Sequence, residues 1–388
     1  METKRRICVI TGSRSDYGIM SNFLKKLQST KNFELKLIVT CMHLIPKYGN
    51  SYKEILKDQI KIHKKITLPL KDDKIYAISK ATGIGLIKFT NVLSKLRPDL
   101  VLILGDRFES LSFAIASLYL KIPIAHIHGG ESTFAQIDDA IRHSITKMSN
   151  FHFVSNKFYK NRLIKMGEEP KNIFVIGALG VENIKKLNFY KKKEIEKKLN
   201  TKLFKKNFLI TIHPETLGKS KLIKNLDIFF NFLKSIKDTK LIFTAPNIDM
   251  GNQKIFNKIK KFVKKNSNKS LLVNSLGHKL YLSLARNCNL IIGNSSSGII
   301  EIPSLNIPTI NIGNRQTGRI RSNSVIDCNT GLKEFKKAIH KGLSNKFLKK
   351  INTFSNPYYK KDSCENLIEI LKRLKLEDGT QKKFYEKK

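Results

Sequence analysis

The stretch AHIHGGEST, residues 125–133, sets His126, His128 and Glu131 about a Gly-Gly turn, directly after an apolar run. Imidazole and carboxylate three residues apart suit either proton transfer or metal binding, and two histidines with one residue between them are able to chelate. Other polar groups also follow apolar runs. TGSRSDYG (11–18) offers Arg14, whose guanidinium would grip phosphate or simply occupy a surface turn. GDRFES (105–110) offers an Asp-Arg pair, in which Asp106 is either catalytic or the N-cap of a following helix. HPET (213–216) offers His213 as a phosphate donor or proton carrier, and PNIDMG (246–251) offers Asn247 for a nucleotide or for an Asx turn.

GNSSSGIIEIPSL (293–305) is the strongest single signal. Ser295 and Ser296, with free backbone N–H groups beside a glycine, make an anion cradle. Glu301 behind them is suited to accept two hydrogen bonds from a ribose diol. An N-cap explains one serine, not three with a glutamate behind. The lysine of a P-loop is absent, and TGSRSDYG carries no GxGxxG, so neither phosphate fingerprint applies.

The elements that must position these groups follow from the pattern of apolar residues. Short β-branched runs such as RICVIT, ELKLIVT, DLVLILG, IPIAHI, FHFVS and IFVIG alternate with amphipathic segments such as ESLSFAIASLYL and IDDAIRHSITKM. This predicts α/β structure with a parallel sheet covered on both faces. A lysine-rich stretch after Gly180 interrupts the alternation, which resumes with NFLITIHP, KLIFTAP, SLLVN, NLIIGNSSSG and PTINIG, with helices expected near 222–236, 253–265 and 279–287. Two doubly wound domains in tandem, with a cleft between them, are therefore expected. In such sheets ligands gather at the carboxyl ends of the strands, where the groups named above lie.

Composition narrows the classes. At 388 residues and 41% hydrophobic the chain can fill two cores. The net charge of +42 comes from lysines dispersed along the whole chain rather than from one patch or reading motif, so a solvated surface is preferred to a nucleic-acid site. Five scattered cysteines without a CxxC pair predict reduced thiols and a cytoplasmic location, with no zinc site. ICVI near the start is too short for a signal segment, and no apolar run approaches the ~20 residues of a membrane span, so no membrane insertion is expected.

The blocks TGSRSDYG, GDRFES, HIHGGE, IDDAIRH, HPET, PNIDMG, GNSSSGIIE and GNRQTGR occur in one order, and the chain resembles the hydrolysing UDP-N-acetylglucosamine 2-epimerases over roughly residues 5–375. The bacterial sialic-acid-pathway type is the nearest likeness. The resemblance implies a GT-B architecture of two Rossmann-like domains: 1–180, with a C-terminal helix 356–388 packing back on it, and 181–355. It implies elimination of UDP from UDP-GlcNAc, then hydration with inversion at C2 to give N-acetylmannosamine, without metal or cofactor. A homo-oligomer, dimer or tetramer, is expected. By motif matching, Asp106, Asp139 and His213 take catalytic positions, and Arg14, Arg107, Asn247, Ser295, Ser296, Glu301 and Arg315 take substrate positions. On a helix Asp139 also shares a face with His143, so ion pairing is its plain structural alternative.

The departure lies at His128, where relatives often carry a glutamate. Glu131 is preferred as the carboxylate, with His128 as an orienting or acid/base partner, and both stay open. Two alternatives accompany this expectation. One keeps the reaction but places it on UDP- or GDP-N,N'-diacetylbacillosamine. The other is a GT-B glycosyltransferase.

Overall fold

The computed structural model describes residues 4–46, 49–70, 74–134, 136–217, 221–246, 251–351, 355–376 and 382–386. The chain divides into two compact units. One holds residues 1–131, 138–183 and 358–388, and the other holds 132–137 and 184–357. Both expected parallel sheets are present.

The first unit carries β1 (Arg5–Thr11), β2 (Phe33–Thr40), β3 (Ile62–Ile66), β4 (Leu100–Leu104), β5 (Ile124–Ile127), β6 (Phe151–Val154) and β7 (Ile173–Val175), ordered β3-β2-β1-β4-β5-β6-β7. The order reverses between β1 and β4, which pair in parallel from Ile7 against Leu100. That switch point is where an open α/β sheet leaves a crevice beyond its carboxyl ends. The uninterrupted apolar run of β4 is buried at all five positions, as a strand covered on both faces requires. Helix Arg14–Ser29 starts cleanly because Ser13 caps it, accepting from the Asp16 N–H at 3.3 Å. Helix Ile75–Leu96 packs on helix Phe108–Tyr119, with Phe89 and Phe113 edge to face at 5.5 Å.

The helix expected over 356–388 is shorter than that, spanning Ser363–Arg373. Asp362 stands before it in the left-handed region (φ 56°), and Leu374 ends it with extended backbone. Within the first unit, Glu182 accepts from the Cys364 N–H at 2.8 Å, and Arg5 donates to the Leu371 and Leu374 carbonyls. Both helix ends thus find partners for groups that the helix itself leaves unpaired.

The second unit carries β8 (Lys206–Thr211), β9 (Thr239–Thr244), β10 (Ser270–Val273), β11 (Leu290–Gly293), β12 (Thr309–Ile312) and β13 (Val325–Cys328), ordered β10-β9-β8-β11-β12-β13. Its switch point lies between β8 and β11. Helices Lys221–Ser235, Asn252–Lys265 and Gly277–Arg286 fall where periodicity placed them. Phe229, Phe230, Phe243, Phe262 and Phe335 fill one face of the sheet, with Phe229 and Phe335 at 4.8 Å. Burying each such ring is worth about 1.5–3 kcal/mol. Among the described residues no helix is long and apolar enough to cross a membrane, and all five cysteines are free and buried.

Candidate active site

In the first unit the polar groups converge on Arg142. Helix Ile137–Met148 presents Asp139, Arg142 and Thr146 at three- and four-residue spacing, hence on one side. Arg142 is 1% exposed. Its Nη2 donates to Asp106 Oδ2, and its Nη1 donates to Asp139 Oδ1 at 3.3 Å and to the Glu131 carbonyl at 3.0 Å. One guanidinium thus gathers the end of β4, the loop after β5 and the helix that follows. Its fork geometry suits this as an ammonium would not.

Asp106 does not cap the next helix. Arg107 occupies the N-cap position of Phe108–Tyr119, and no side chain makes the cap bond there. Arg107 instead donates from Nε to Glu109 Oε1 at 2.7 Å. Asp139 also faces His143, whose Nε2 lies 3.7 Å from Asp139 Oδ2. The helical pair foreseen for it is therefore present beside the contact to Arg142.

His128 has φ 65°, an unusual value for a non-glycine residue that turns the chain immediately after β5. Its Nδ1 lies 2.6 Å from Glu131 Oε1, which also accepts from Ser155 Oγ at 3.4 Å. A carboxylate oxygen only accepts, so Nδ1 carries the proton and a neutral ring leaves Nε2 with its lone pair. Nε2 is enclosed and has no partner among the described residues. The two candidates in this stretch therefore form one pair.

His126 has a different role. Its Nε2 faces the Gly105 carbonyl at 2.8 Å and its Nδ1 faces Thr146 Oγ1 at 3.1 Å. Burial holds its pKa down to about 3, so the ring is neutral. It ties the residue before Asp106 to helix Ile137–Met148.

Arg14 opens helix Arg14–Ser29, where burial lowers its pKa and Glu54 opposes that. Burial pushes the nearby Asp16 carboxyl up to about 6, against the pull of Arg107. Glycine at position 12, at the end of β1, leaves room for the Glu109 carboxylate, since a Cβ there would lie 2.0 Å from Glu109 Oε1. His43 braces the end of β1, its Nε2 lying 3.0 Å from Thr11 Oγ1 and its Nδ1 2.8 Å from Ser51 Oγ.

In the second unit Asn294 is the organiser. It accepts the His213 N–H at 2.7 Å and returns a bond to the His213 carbonyl at 2.8 Å. Its own carbonyl receives Arg315 Nη1 at 3.3 Å and Gln316 Nε2 at 2.8 Å. Gly293 permits this approach, since a Cβ there would sit 1.8 Å from the Thr211 carbonyl oxygen. Ser295 caps the five-residue helix Ser296–Ile300, accepting from the Ser297 N–H. Glu301 ends that helix and is not part of a longer one, because Pro303 follows within a 3-10 turn. Its Oε1 lies 3.0 Å from His278 Nε2, at the start of helix Gly277–Arg286. His213, Ser295, Ser296, Glu301 and Arg315 are thus gathered at the ends of β8, β11 and β12. Asn247 lies outside the described residues.

Residues 132–137 follow Glu131 directly and belong to the second unit, where the Phe134 N–H donates to the Thr317 carbonyl at 3.0 Å and the Ile137 N–H to Thr216 Oγ1 at 2.9 Å. Arg142, Glu109, Asn294 and His278 are candidate site residues that pattern reasoning did not assign, and His126, singled out there as a proton carrier or metal ligand, makes positioning contacts instead. Arg142 was within reach of that reasoning, since it stands three residues after Asp139 on one helix.

Comparison with known proteins bears on this geometry. A family model described as UDP-N-acetylglucosamine 2-epimerase matches residues 25–372. A Campylobacter jejuni protein named GDP/UDP-N,N'-diacetylbacillosamine 2-epimerase (hydrolyzing) is 43% identical over 325 residues, 84% of each chain. A polysialic acid biosynthesis protein of Escherichia coli is 38% identical over 384 residues, covering 98% of this chain and 97% of its own. Among solved structures, that of UDP-GlcNAc 2-epimerase from Neisseria meningitidis bound to UDP-GlcNAc is similar in fold, with a TM-score of 0.81 at 19% identity, covering 95% of this chain and all of that one.

Proposed function

The chain belongs to the UDP-N-acetylglucosamine 2-epimerase family, and from that premise we propose that it is a hydrolysing 2-epimerase acting on N,N'-diacetylbacillosamine carried by GDP or UDP. The observation that carries the chemistry is the cluster of Asp106, Asp139, Arg142, His128 and Glu131 in the first unit. The printed name of the Campylobacter relative supports this choice of sugar. UDP-GlcNAc, the substrate expected from sequence, is the second reading, supported by the description of the family model. The family match sets the glycosyltransferase alternative aside.

The reaction removes the C2 proton while the C1–O bond breaks, its electron pair leaving with the nucleoside diphosphate. Water then returns a proton to the opposite face of C2 and a hydroxyl to C1. The products are the C2-epimeric free sugar and the nucleoside diphosphate. A C2–H is a weak acid, so the step needs a positioned base. His128 Nε2 is suited to that part, with Glu131 holding the tautomer from Nδ1, the arrangement that activates a histidine base elsewhere. Asp106 and Asp139, both held by Arg142, supply the second acid/base group on the other side of the cycle. His213, the Ser295–Ser296 turn and Arg315 serve the leaving diphosphate, and Glu301 the ribose hydroxyls.

A substrate panel tests the assignment. UDP-GlcNAc, UDP-N,N'-diacetylbacillosamine and its GDP counterpart are each incubated with the protein, and nucleoside diphosphate release is followed. kcat/KM should be at least about tenfold higher for one diacetamido substrate, the order of discrimination that a few pocket contacts supply. Preference for UDP-GlcNAc reverses the sugar assignment. Release from none of the three removes it.

A further inference from the structure

The C-terminal segment Lys382–Tyr385 docks on the far end of the helix that carries Asp139 and Arg142. Lys382 Nζ donates to the carbonyls of Thr146 (3.2 Å), Lys147 (2.7 Å) and Ser149 (2.7 Å). The first two belong to the last turn of helix Ile137–Met148, where carbonyls lack the usual i+4 partner, and that of Thr146 also accepts the Ser149 N–H at 3.0 Å. A cation there also meets the negative end of the helix dipole. The same ammonium lies 2.6 Å from Glu168 Oε2, a carboxylate that is 1% exposed. Glu168 further pairs with His152 and with Lys147, each at 2.8 Å. Beside it the Tyr385 N–H donates to the Gly167 carbonyl at 2.9 Å, and the Phe384 ring lies against Gly167, whose missing Cβ would fall 2.4 Å from it.

A lysine drawn 236 residues along the chain to cap a helix demands a reason, because ordering a long side chain costs entropy. The helix it caps supplies one. Thr146, in the capped turn, bonds His126, which holds the carbonyl before Asp106, and Arg142 one turn earlier bonds Asp106 itself. Axial drift of this helix would displace both contacts together. We propose that Lys382 is a positioning residue: seated on the last carbonyls of helix Ile137–Met148 and on Glu168, it fixes the helix along its axis and so sets the reach of Arg142 and Asp139 toward Asp106. The inference rests on the function proposed above only for its kinetic consequence.

Lys382→Met, Lys382→Arg and Phe384→Ala in the full-length protein test it, with hydrogen–deuterium exchange of the 137–148 peptide measured beside kcat and KM. Lys382→Met should speed exchange in 137–148 and lower kcat roughly tenfold, a loss typical of slight misplacement. KM should stay within about twofold, because the diphosphate groups lie in the second unit, and Lys382→Arg should restore at least half of kcat. Unchanged exchange in 137–148, faster exchange with unchanged kcat, or equal losses in the Met and Arg variants would each overturn the proposal. Should Lys382→Met fail to fold, Phe384→Ala decides on the same two readouts, its ring being 66% exposed and dispensable to the core. If the wild type turns over none of the substrate panel, the functional reading fails, and the exchange data alone still decide whether Lys382 holds the helix.

Discussion

His128 Nδ1 and Glu131 Oε1 lie 2.6 Å apart, so the two acid/base candidates of the HIHGGE stretch form one hydrogen-bonded pair. Groups that work as a unit lose their effect together. His128→Ala should lower kcat about 10²–10⁴-fold, the usual worth of a positioned base. Adding Glu131→Gln to that variant should cost little more. Steady-state kinetics of both single variants and the double variant form the cycle. Losses that multiply would mean two independent groups, and an active His128→Ala beside an inactive Glu131→Gln would move the base to the carboxylate.

Asp106 is held by Arg142 and does not cap a helix. Asp106→Asn keeps an acceptor for Arg142 and removes the charge. Turnover should fall about 10²–10⁴-fold, while calorimetric affinity for UDP or GDP stays within about threefold. Equal loss of both would make Asp106 a structural residue of the β4 turn.

Glu301 lies at the end of helix Ser296–Ile300, braced by His278 at 3.0 Å. In the ribose-acceptor role proposed for it, its charge-assisted bonds would be worth about 1.5–3 kcal/mol each. Glu301→Ala should weaken nucleoside diphosphate binding roughly 10–100-fold, read by titration calorimetry. An unchanged Kd would confine Glu301 to its histidine.

Asp16 gives a pH signature. Burial raises its folded pKa from 3.8 to about 6, so ionisation is disfavoured in the fold. The stability tied to this group is greatest below 3.8 and is lost as pH rises through 6. Asp16→Asn cannot ionise, so its thermal midpoint should exceed that of wild type at pH 8 by roughly 2–5 °C. The gap should narrow at pH 5. A gap independent of pH would mean that the carboxyl is not strained by burial.

Much of the fold is legible because buried parallel strands write themselves as uninterrupted apolar runs. LVLIL and LIIG are examples, each followed at once by the polar residues of the site. Strand order is not legible, since β1 pairs with β4 across a span that no local pattern records. Helix Ile75–Leu96 also escaped, because its β-branched residues and two glycines blur the helical stripe. Gly85 serves packing, its absent Cβ falling 3.2 Å from Ser112 Oγ. Within the site, motif spacing named most of the groups but not their partners. The Asp106–Arg142 contact spans 36 residues, and that of Glu301 with His278 spans 23. Whether His128 and Glu131 compete or cooperate depended on the left-handed turn at His128, which residue type alone does not announce.

In the proposed reaction the first-unit cluster removes and replaces the C2 proton as the nucleotide leaves. Turnover of the preferred nucleotide sugar in D2O, followed by NMR, tests it most directly. The expected product is a C2-epimeric free sugar carrying deuterium at C2, formed one for one with the nucleoside diphosphate. Release of the diphosphate with a sugar that keeps protium and its original configuration at C2 would contradict it, and would make the protein a simple nucleotide-sugar hydrolase.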